Sequence, residues 1–195
     1  MTSKRVVFLD FDGVLNNRQF IDALKADEED DYAWRLSMID PAAVTLLNGF
    51  VEEANASIVI SSSWRNGQNL QELKGMLNKK GLKNPNRVIG ETPHIHGGPR
   101  GKEIQAWLDS NKDYNSFVIL DDNDDMDGLL HCFVKTDPRE GLTAHSVEYA
   151  LAILERDIPH KSKEDSGHAL CCIGQQVEDP EGGSSCLCSC HRTTT

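Results

Sequence analysis

Two aspartates one residue apart, Asp10 and Asp12, follow four consecutive apolar residues, Val6-Val7-Phe8-Leu9, and stand just before a glycine, Gly13. So apolar a run reads as a strand buried on both faces, as in parallel sheets, and the glycine lets the chain turn away from the strand end. Ligands of open α/β sheets bind beyond the carboxyl ends of the strands. Carboxylates delivered there make a hard-oxygen site suited to Mg²⁺, or a nucleophile beside an acid/base. A solvated Asp-x-Asp-Gly turn is the competing reading of this segment alone. Two further runs end in the same way. Ser57-Ile58-Val59-Ile60 leads into Ser61-Ser62-Ser63-Trp64-Arg65, and Phe117-Val118-Ile119-Leu120 leads into Asp121-Asp122. A basic pair, Arg100 and Lys102, opens the segment before the last of these strands. Three strand ends therefore bring Asp10/Asp12, Ser61 and Asp121/Asp122 to one sheet edge. Ser61 could instead be a turn or helix-capping serine, and Asp121-Asp122 a plain strand-end turn.

The elements that must position these residues alternate from Lys4 to about Arg156. After the first strand comes a polar, acidic connection with Tyr32, Trp34 and the run Asp27-Glu28-Glu29-Asp30-Asp31, read as a solvated loop. Pro41 opens a helix with Val44, Leu47, Val51 and Ala54 on one face. Leu70, Leu73 and Leu77 mark the next helix, closed by Gly81. Arg87-Val88-Ile89 is a short strand, a helix carries Ile104, Trp107 and Leu108, and Cys132-Phe133-Val134 is a fifth strand. Val147, Ala150, Leu151 and Leu154 recur at helical spacing. Strands separated by helices of this length predict βαβ units. The expected fold is α/β: a three-layer αβα domain over 1–158, with a central five-stranded parallel sheet. Ordinary sheet elements fill the segments between the motifs, so no large cap is expected over the site. From about Pro159 the periodicity stops, and 159–195, rich in Ser, Gly, Thr and Cys, reads as a disordered tail.

A chain of 195 residues can bury one substantial core. Its formal net charge of −11 argues against loose, non-specific nucleic-acid binding, which needs a basic footprint, and leaves room for a small basic groove. No apolar stretch is long enough to span a membrane, and Lys4-Arg5 leads at once into a strand instead of a leader segment. The expected location is the cytoplasm. Cys132, within an apolar run, reads as a buried thiol. Cys171, Cys172, Cys186, Cys188 and Cys190 crowd the tail with His191. A zinc site or lipidation competes there with a plain flexible tail.

Taken in chain order, Asp10-Phe11-Asp12-Gly13, Ser61, Lys102 or Arg100, and Asp121-Asp122 resemble the four motifs of the haloacid dehalogenase superfamily of phosphotransferases, over roughly residues 4–156. The resemblance implies a Rossmann-like fold and a Mg²⁺-dependent phosphatase. By it, Asp10 attacks phosphorus, and Asp12 protonates the leaving oxygen and later activates water. Asp10, the Asp12 backbone carbonyl, Asp121 and Asp122 hold Mg²⁺. Ser61 and a basic residue bind phosphate; the superfamily's usual lysine favours Lys102 over Arg100. A closer resemblance runs through Ile58 to Arg65, Arg100-Gly101-x-Glu103-Ile104-x-x-Trp107-Leu108 and Val118 to Asp122. These segments are similar to the phosphatase-type domains of the Swiss army knife RNA-repair group. That likeness implies removal of a terminal phosphate from RNA, another polynucleotide or a nucleotide, with any repair partner on a separate chain. Small-molecule phosphatase or 5′-nucleotidase activity is the alternative, and an idle phosphate- or partner-binding module is the third reading. Asn16, Trp64 and Arg65, with Asn17 and Arg18, are candidates for the substrate rim. Trp64 could stack on a base or pack under its loop, with Arg65 in an ion pair. His94 and His96 could also face the rim.

Overall fold

Val6, Val7, Phe8 and Leu9 are completely buried because β1 (Lys4–Leu9) has a parallel neighbour on each side and helices over both faces. The computed structural model describes residues 4–24 and 31–155, together with two short strands at 176–178 and 184–186. Five strands, β1, β2 (Ala56–Ile60), β3 (Val88–Glu91), β4 (Tyr114–Asp121) and β5 (Phe133–Lys135), form one parallel sheet in the order β3-β2-β1-β4-β5. Leu9 lies opposite both Ile60 and Leu120. The residues that follow, Asp10, Ser61 and Asp121, therefore leave the sheet at one level. One more rung ties them together: Asp10 N–H donates to Leu120 O and Ser61 N–H to Leu9 O, both at 3.0 Å.

Alternation along the strands separates two helical layers. Phe8 and Phe117 share one face, where the Phe8 ring meets Trp107 of α5 (Arg100–Ser110) edge-on at 5.4 Å. Ser116 points the other way and donates to Leu154 O of α6 (Ala144–Glu155) at 3.2 Å. On that side α3 (Pro41–Glu53) packs against α6 and β2. Local chemistry starts the helices where the periodicity places them. Asp40 caps α3 by accepting from Ala42 N–H, with Pro41 in the first turn. Asn69 and Glu72 form a reciprocal capping box on α4 (Leu70–Lys79), which packs against β3.

The connection after β1 departs from expectation, since it contains α1 (Arg18–Ala23) and α2 (Asp31–Met38). Asn17 caps α1 by accepting from Phe20 N–H at 2.8 Å. Asp31, the end of the acidic run, instead supplies negative charge to the first turn of α2 and pairs with Arg35 one turn on. Tyr32, Leu36 and Met38 pack partly against the core. Asp27 to Asp30 lie outside the described residues.

The chain divides into two units, Met1–Pro159 and His160–Thr195. Within the second, β6 (Gln176–Glu178) and β7 (Ser184–Cys186) pair antiparallel. Most of the segment expected to be a disordered tail lies outside the described residues, as do Cys171, Cys172, Cys188, Cys190 and His191 with their zinc and lipidation readings. Cys132 is buried and not in a disulfide. Among the described residues no helix is long and apolar enough to cross a membrane.

Two glycines make opposite predictions. A Cβ on Gly101 would lie 2.2 Å from Met126 O and 2.3 Å from its carbonyl carbon, so backbone must move. Gly101→Ala is expected to destabilise by about 1–3 kcal/mol, as overpacking does. Gly49 is exposed within α3 with open space around it, and Gly49→Ala is expected to stabilise by about 0.5–1 kcal/mol. Urea midpoints at unchanged slope would read both.

Candidate active site

The three strand ends converge on a cluster of carboxylates. Asp10 is 4 % exposed and Asp121 fully buried. One oxygen accepts a backbone N–H in each: Asp10 Oδ1 from Phe11 at 2.8 Å and Asp121 Oδ1 from Asn123 at 2.9 Å. Asp122 is half-buried and closes over Gly13, whose φ is +66°. A Cβ there would fall 2.5 Å from Asp122 Oδ2, so both backbone and space require glycine. One oxygen from each of Asp10, Asp121 and Asp122 lies within 4.8 Å of the others.

So many negative charges in a dry corner oppose ionisation. Burial, then the Asp10 charge, pushes the Asp121 carboxyl up to about 8, against the pull of Arg100 and the Asn123 N–H. Burial and Asp10 also raise Asp122. Asp121 Oδ2 is buried without a hydrogen bond. Hard oxygens gathered this closely, one of them unpartnered, fit a divalent cation such as Mg²⁺.

The cation that reaches this cluster is Arg100. Its Nη2 lies 3.6 Å from Asp10 Oδ2, its Nε lies 3.7 Å from Asp121 Oδ2, and its Nη1 donates to Ser61 O. The start of α5 is fixed by the loop after β4, where Arg100 N–H donates to Asp125 Oδ2 and Gly101 N–H to Asp125 O. Lys102, which the superfamily's habit favoured, is exposed. Two positions along a helix turn a side chain by roughly 200°, so only one of the pair can face inward. Of the two, Arg100 is the one that faces the carboxylates. Ser61 is completely buried, with its hydroxyl unpartnered at the same edge.

The residues expected at a substrate rim are instead built into the site's walls. Asn16 is 3 % exposed; its Nδ2 donates to Asp12 Oδ1 at 2.8 Å and its Oδ1 accepts from Gly13 N–H. Trp64 is 2 % exposed, and its indole Nε1–H donates to Asp12 Oδ2 at 2.9 Å. Arg65 forms a buried ion pair with Glu103 and donates to the carbonyls of Ser61 and Ser62. None of the three offers a surface on which a base could stack. Asn17 caps α1, Arg18 is exposed, and His94 sits half-exposed with Nδ1 3.4 Å from Glu103 Oε1. Sequence reasoning named Glu103 within the family-like segment without giving it a role, and passed over Asp125. The inward position of Glu103 was findable, because it lies three residues after Arg100 and so on the same helical face.

Residues 6–147 match the family model for the HAD domain in Swiss Army Knife RNA repair proteins. The chain belongs to this family. No curated protein and no solved structure matches. The match runs from within β1 into α6 and contains every residue of the carboxylate cluster. The parallel five-stranded sheet flanked by helices is the architecture expected of a haloacid dehalogenase-like domain.

The buried carboxyl makes stability depend on pH. Asp121 keeps its proton in the fold up to about pH 8 but loses it near 3.8 when unfolded. The folded chain holds the extra proton between these values, so this contribution is full below 3.8 and is lost as pH rises through about 8. Without divalent cation, the native chain is expected to lose stability relative to Asp121→Asn as pH rises through that window. Mg²⁺ should flatten the difference, because it takes the place of the proton. Urea midpoints of both chains across pH, with Mg²⁺ or chelator, check this. An advantage of the native chain over Asp121→Asn that grows with pH would count against it.

Proposed function

We propose that the chain is a Mg²⁺-dependent phosphomonoester hydrolase working through an aspartyl-phosphate on Asp10. The observation that carries this reading is the convergence of Asp10, Asp121 and Asp122 around the Arg100 guanidinium, beside the unpartnered Ser61 hydroxyl. A transferred phosphoryl group stays anionic, so its catalyst works mainly by positioning and by cationic stabilisation. Asp10, Asp121 and Asp122, with the backbone carbonyl of Asp12, would hold the cation. When bound, Mg²⁺ supplies the charge neutralisation that lets a phosphate approach these carboxylates.

In the first half-reaction an Asp10 oxygen bonds to phosphorus while the bond to the leaving oxygen breaks. The electron pair stays with the leaving oxygen, and Asp12 gives it a proton. In the second, Asp12 takes a proton from water, the water oxygen attacks phosphorus, and the bond to Asp10 breaks. Inorganic phosphate and free Asp10 result. Arg100 and Ser61 Oγ–H orient the phosphate oxygens through both halves.

For the substrate we favour the terminal phosphate of an RNA or other polynucleotide end, in the cytoplasm and alongside a repair enzyme on another chain. The family's description and the lack of a cap domain among the described residues support this. A small phosphomonoester such as a nucleotide is the second reading, favoured by the net charge of −11 and by the burial of Trp64 and Arg65. The filled motif positions weigh against an idle module.

Phosphate release from p-nitrophenyl phosphate, with Mg²⁺ or chelator, tests the chemistry. Asp10→Asn is expected to lower turnover by at least about a thousandfold; turnover surviving it would overturn the covalent route. Arg100→Ala should cost about a hundredfold or more, and exposed Lys102→Ala less than about threefold. The reverse ranking would return the phosphate-binding role to Lys102. Phosphorylated RNA ends assayed beside nucleotides then decide the substrate.

A further inference from the structure

We propose that Trp64, assisted by Asn16, is a positioning residue that aims the Asp12 carboxylate at the leaving oxygen. This rests on the phosphatase reading, in which Asp12 is the acid/base. Asp12 is exposed on a tight turn, three residues past the end of β1. A short carboxylate in such a place would ordinarily move between rotamers. Here both oxygens are engaged, Oδ1 by Asn16 Nδ2 at 2.8 Å and Oδ2 by Trp64 Nε1 at 2.9 Å.

The donors are themselves fixed. The Asn16 amide is locked because its oxygen accepts the Gly13 N–H at 2.9 Å. The Trp64 ring packs on Phe11 with centroids 4.9 Å apart, and the Arg35 guanidinium lies over it at 5.4 Å. A buried indole N–H needs an acceptor, and this one spends its single bond on an exposed carboxylate 52 positions away in the chain. Trp64 also belongs to the short 3₁₀ turn Ser63–Asn66 that follows Ser61. One turn of chain therefore sets both the phosphate-side hydroxyl and the direction of Asp12.

The clamp leaves the chemistry open. A carboxylate oxygen has two acceptor positions, so each Asp12 oxygen can accept its neutral donor and still bind or release a proton. Orientation is what the clamp supplies, and a general acid must lie within hydrogen-bond reach of the atom it protonates. The effect should therefore scale with how much the leaving group needs that proton.

The test uses the full chain and a series of substituted phenyl phosphates. Trp64→Phe keeps an aromatic ring beneath Arg35 and removes the donor. Its kcat/KM is expected to stay within about threefold of native for p-nitrophenyl phosphate, which leaves without help. It should fall about tenfold or more for phenyl phosphate, which does not, since general acids contribute on the order of 10²–10⁴. A uniform loss across the series, or none, would overturn the proposal; the first would mark a merely structural tryptophan. If Trp64→Phe does not fold, Asn16→Ala is expected to give the same steepened dependence, and a flat dependence there would equally overturn the proposal. A second readout needs no turnover. In the ¹⁵N-labelled chain, Asp12→Ala is expected to shift one of three tryptophan indole N–H signals, and three unmoved signals would overturn the clamp. If the native chain hydrolyses no phosphate ester, the phosphatase reading fails, and the indole signal alone then decides the clamp.

Discussion

Everything at this sheet edge depends on one guanidinium among buried carboxylates. Asp10 and Asp121 leave the sheet side by side because Leu9 and Leu120 are paired, and almost no water reaches either. Burial and the Asp10 charge push the Asp121 carboxyl up to about 8 even with Arg100 between them. Without that permanent positive charge the drive to hold a proton would be stronger still. Arginine suits the position because it does not shed its proton when buried, as lysine does. Arg100 reaches the cluster because Asp125 grips the first turn of α5 and because Gly101 has no side chain to push Met126 away. The glycine is thus an electrostatic device as much as a steric one. Moving the helix start would withdraw the charge that partly offsets the burial of these carboxylates.

A second arginine reinforces the first from behind. Arg65 and Arg100 both donate to the Ser61 carbonyl, and Arg65 is anchored in turn by Glu103. Glu103 also accepts the backbone N–H of Ile95, so the loop before α5 joins the same network. A buried ion pair of this kind adds little net stability once desolvation is counted, but it fixes geometry. The carbonyl it holds belongs to the residue whose hydroxyl is left unpartnered at the site. Rigidity here has a local purpose: the Ser61 backbone is held from two sides so that its side chain can stay unengaged.

The sequence was legible where information is local. The central strands hold unbroken apolar runs and announced themselves, with the carboxylates at or just past their ends. The edge strands β3 and β5 rested on two apolar residues each, and Cys132, read into the fifth strand, instead ends the 3₁₀ turn before it. The family likeness rested on the central strand ends, and the match over 6–147 agrees with it. Helical phase was less legible. Arg100 and Lys102 are equivalent on paper until the loop after β4 fixes how α5 begins. Partners distant in sequence were invisible. Trp64 and Arg65 read either as rim residues or as a packed ring beside an ion pair, and the structure has the second arrangement, whereas Asn16 read only as a rim residue. Their burial depends on Asp12 and Glu103, and Arg65 meets Glu103 across 38 positions. The helix α2 was hidden by an acidic run whose last member begins it.

The charge of the whole chain bears less on the substrate than its sign suggests. At physiological ionic strength exposed charges are largely screened beyond about 8 Å, so only groups near the edge matter. There, Lys135 at the end of β5 is paired with Asp124 in the loop after β4, and Arg139 with Asp137 two residues before it. These pairs remove two cations that could otherwise have followed a phosphodiester backbone, and Arg65 is spent inward on Glu103. A strand of nucleic acid needs a track of positive charge along its length, and among the described residues the exposed cations beside the site are Arg18 and Lys102. What this edge concentrates is a single guanidinium, a hydroxyl and a set of carboxylates that favour a divalent cation. In the phosphatase reading, such a site would recognise a phosphate group by its charge and leave the rest of the molecule nearly ungripped. On that reading, discrimination between an RNA end and a small ester must then come from whatever presents the phosphate to Asp10. A repair enzyme on a separate chain could supply that grip for an RNA end.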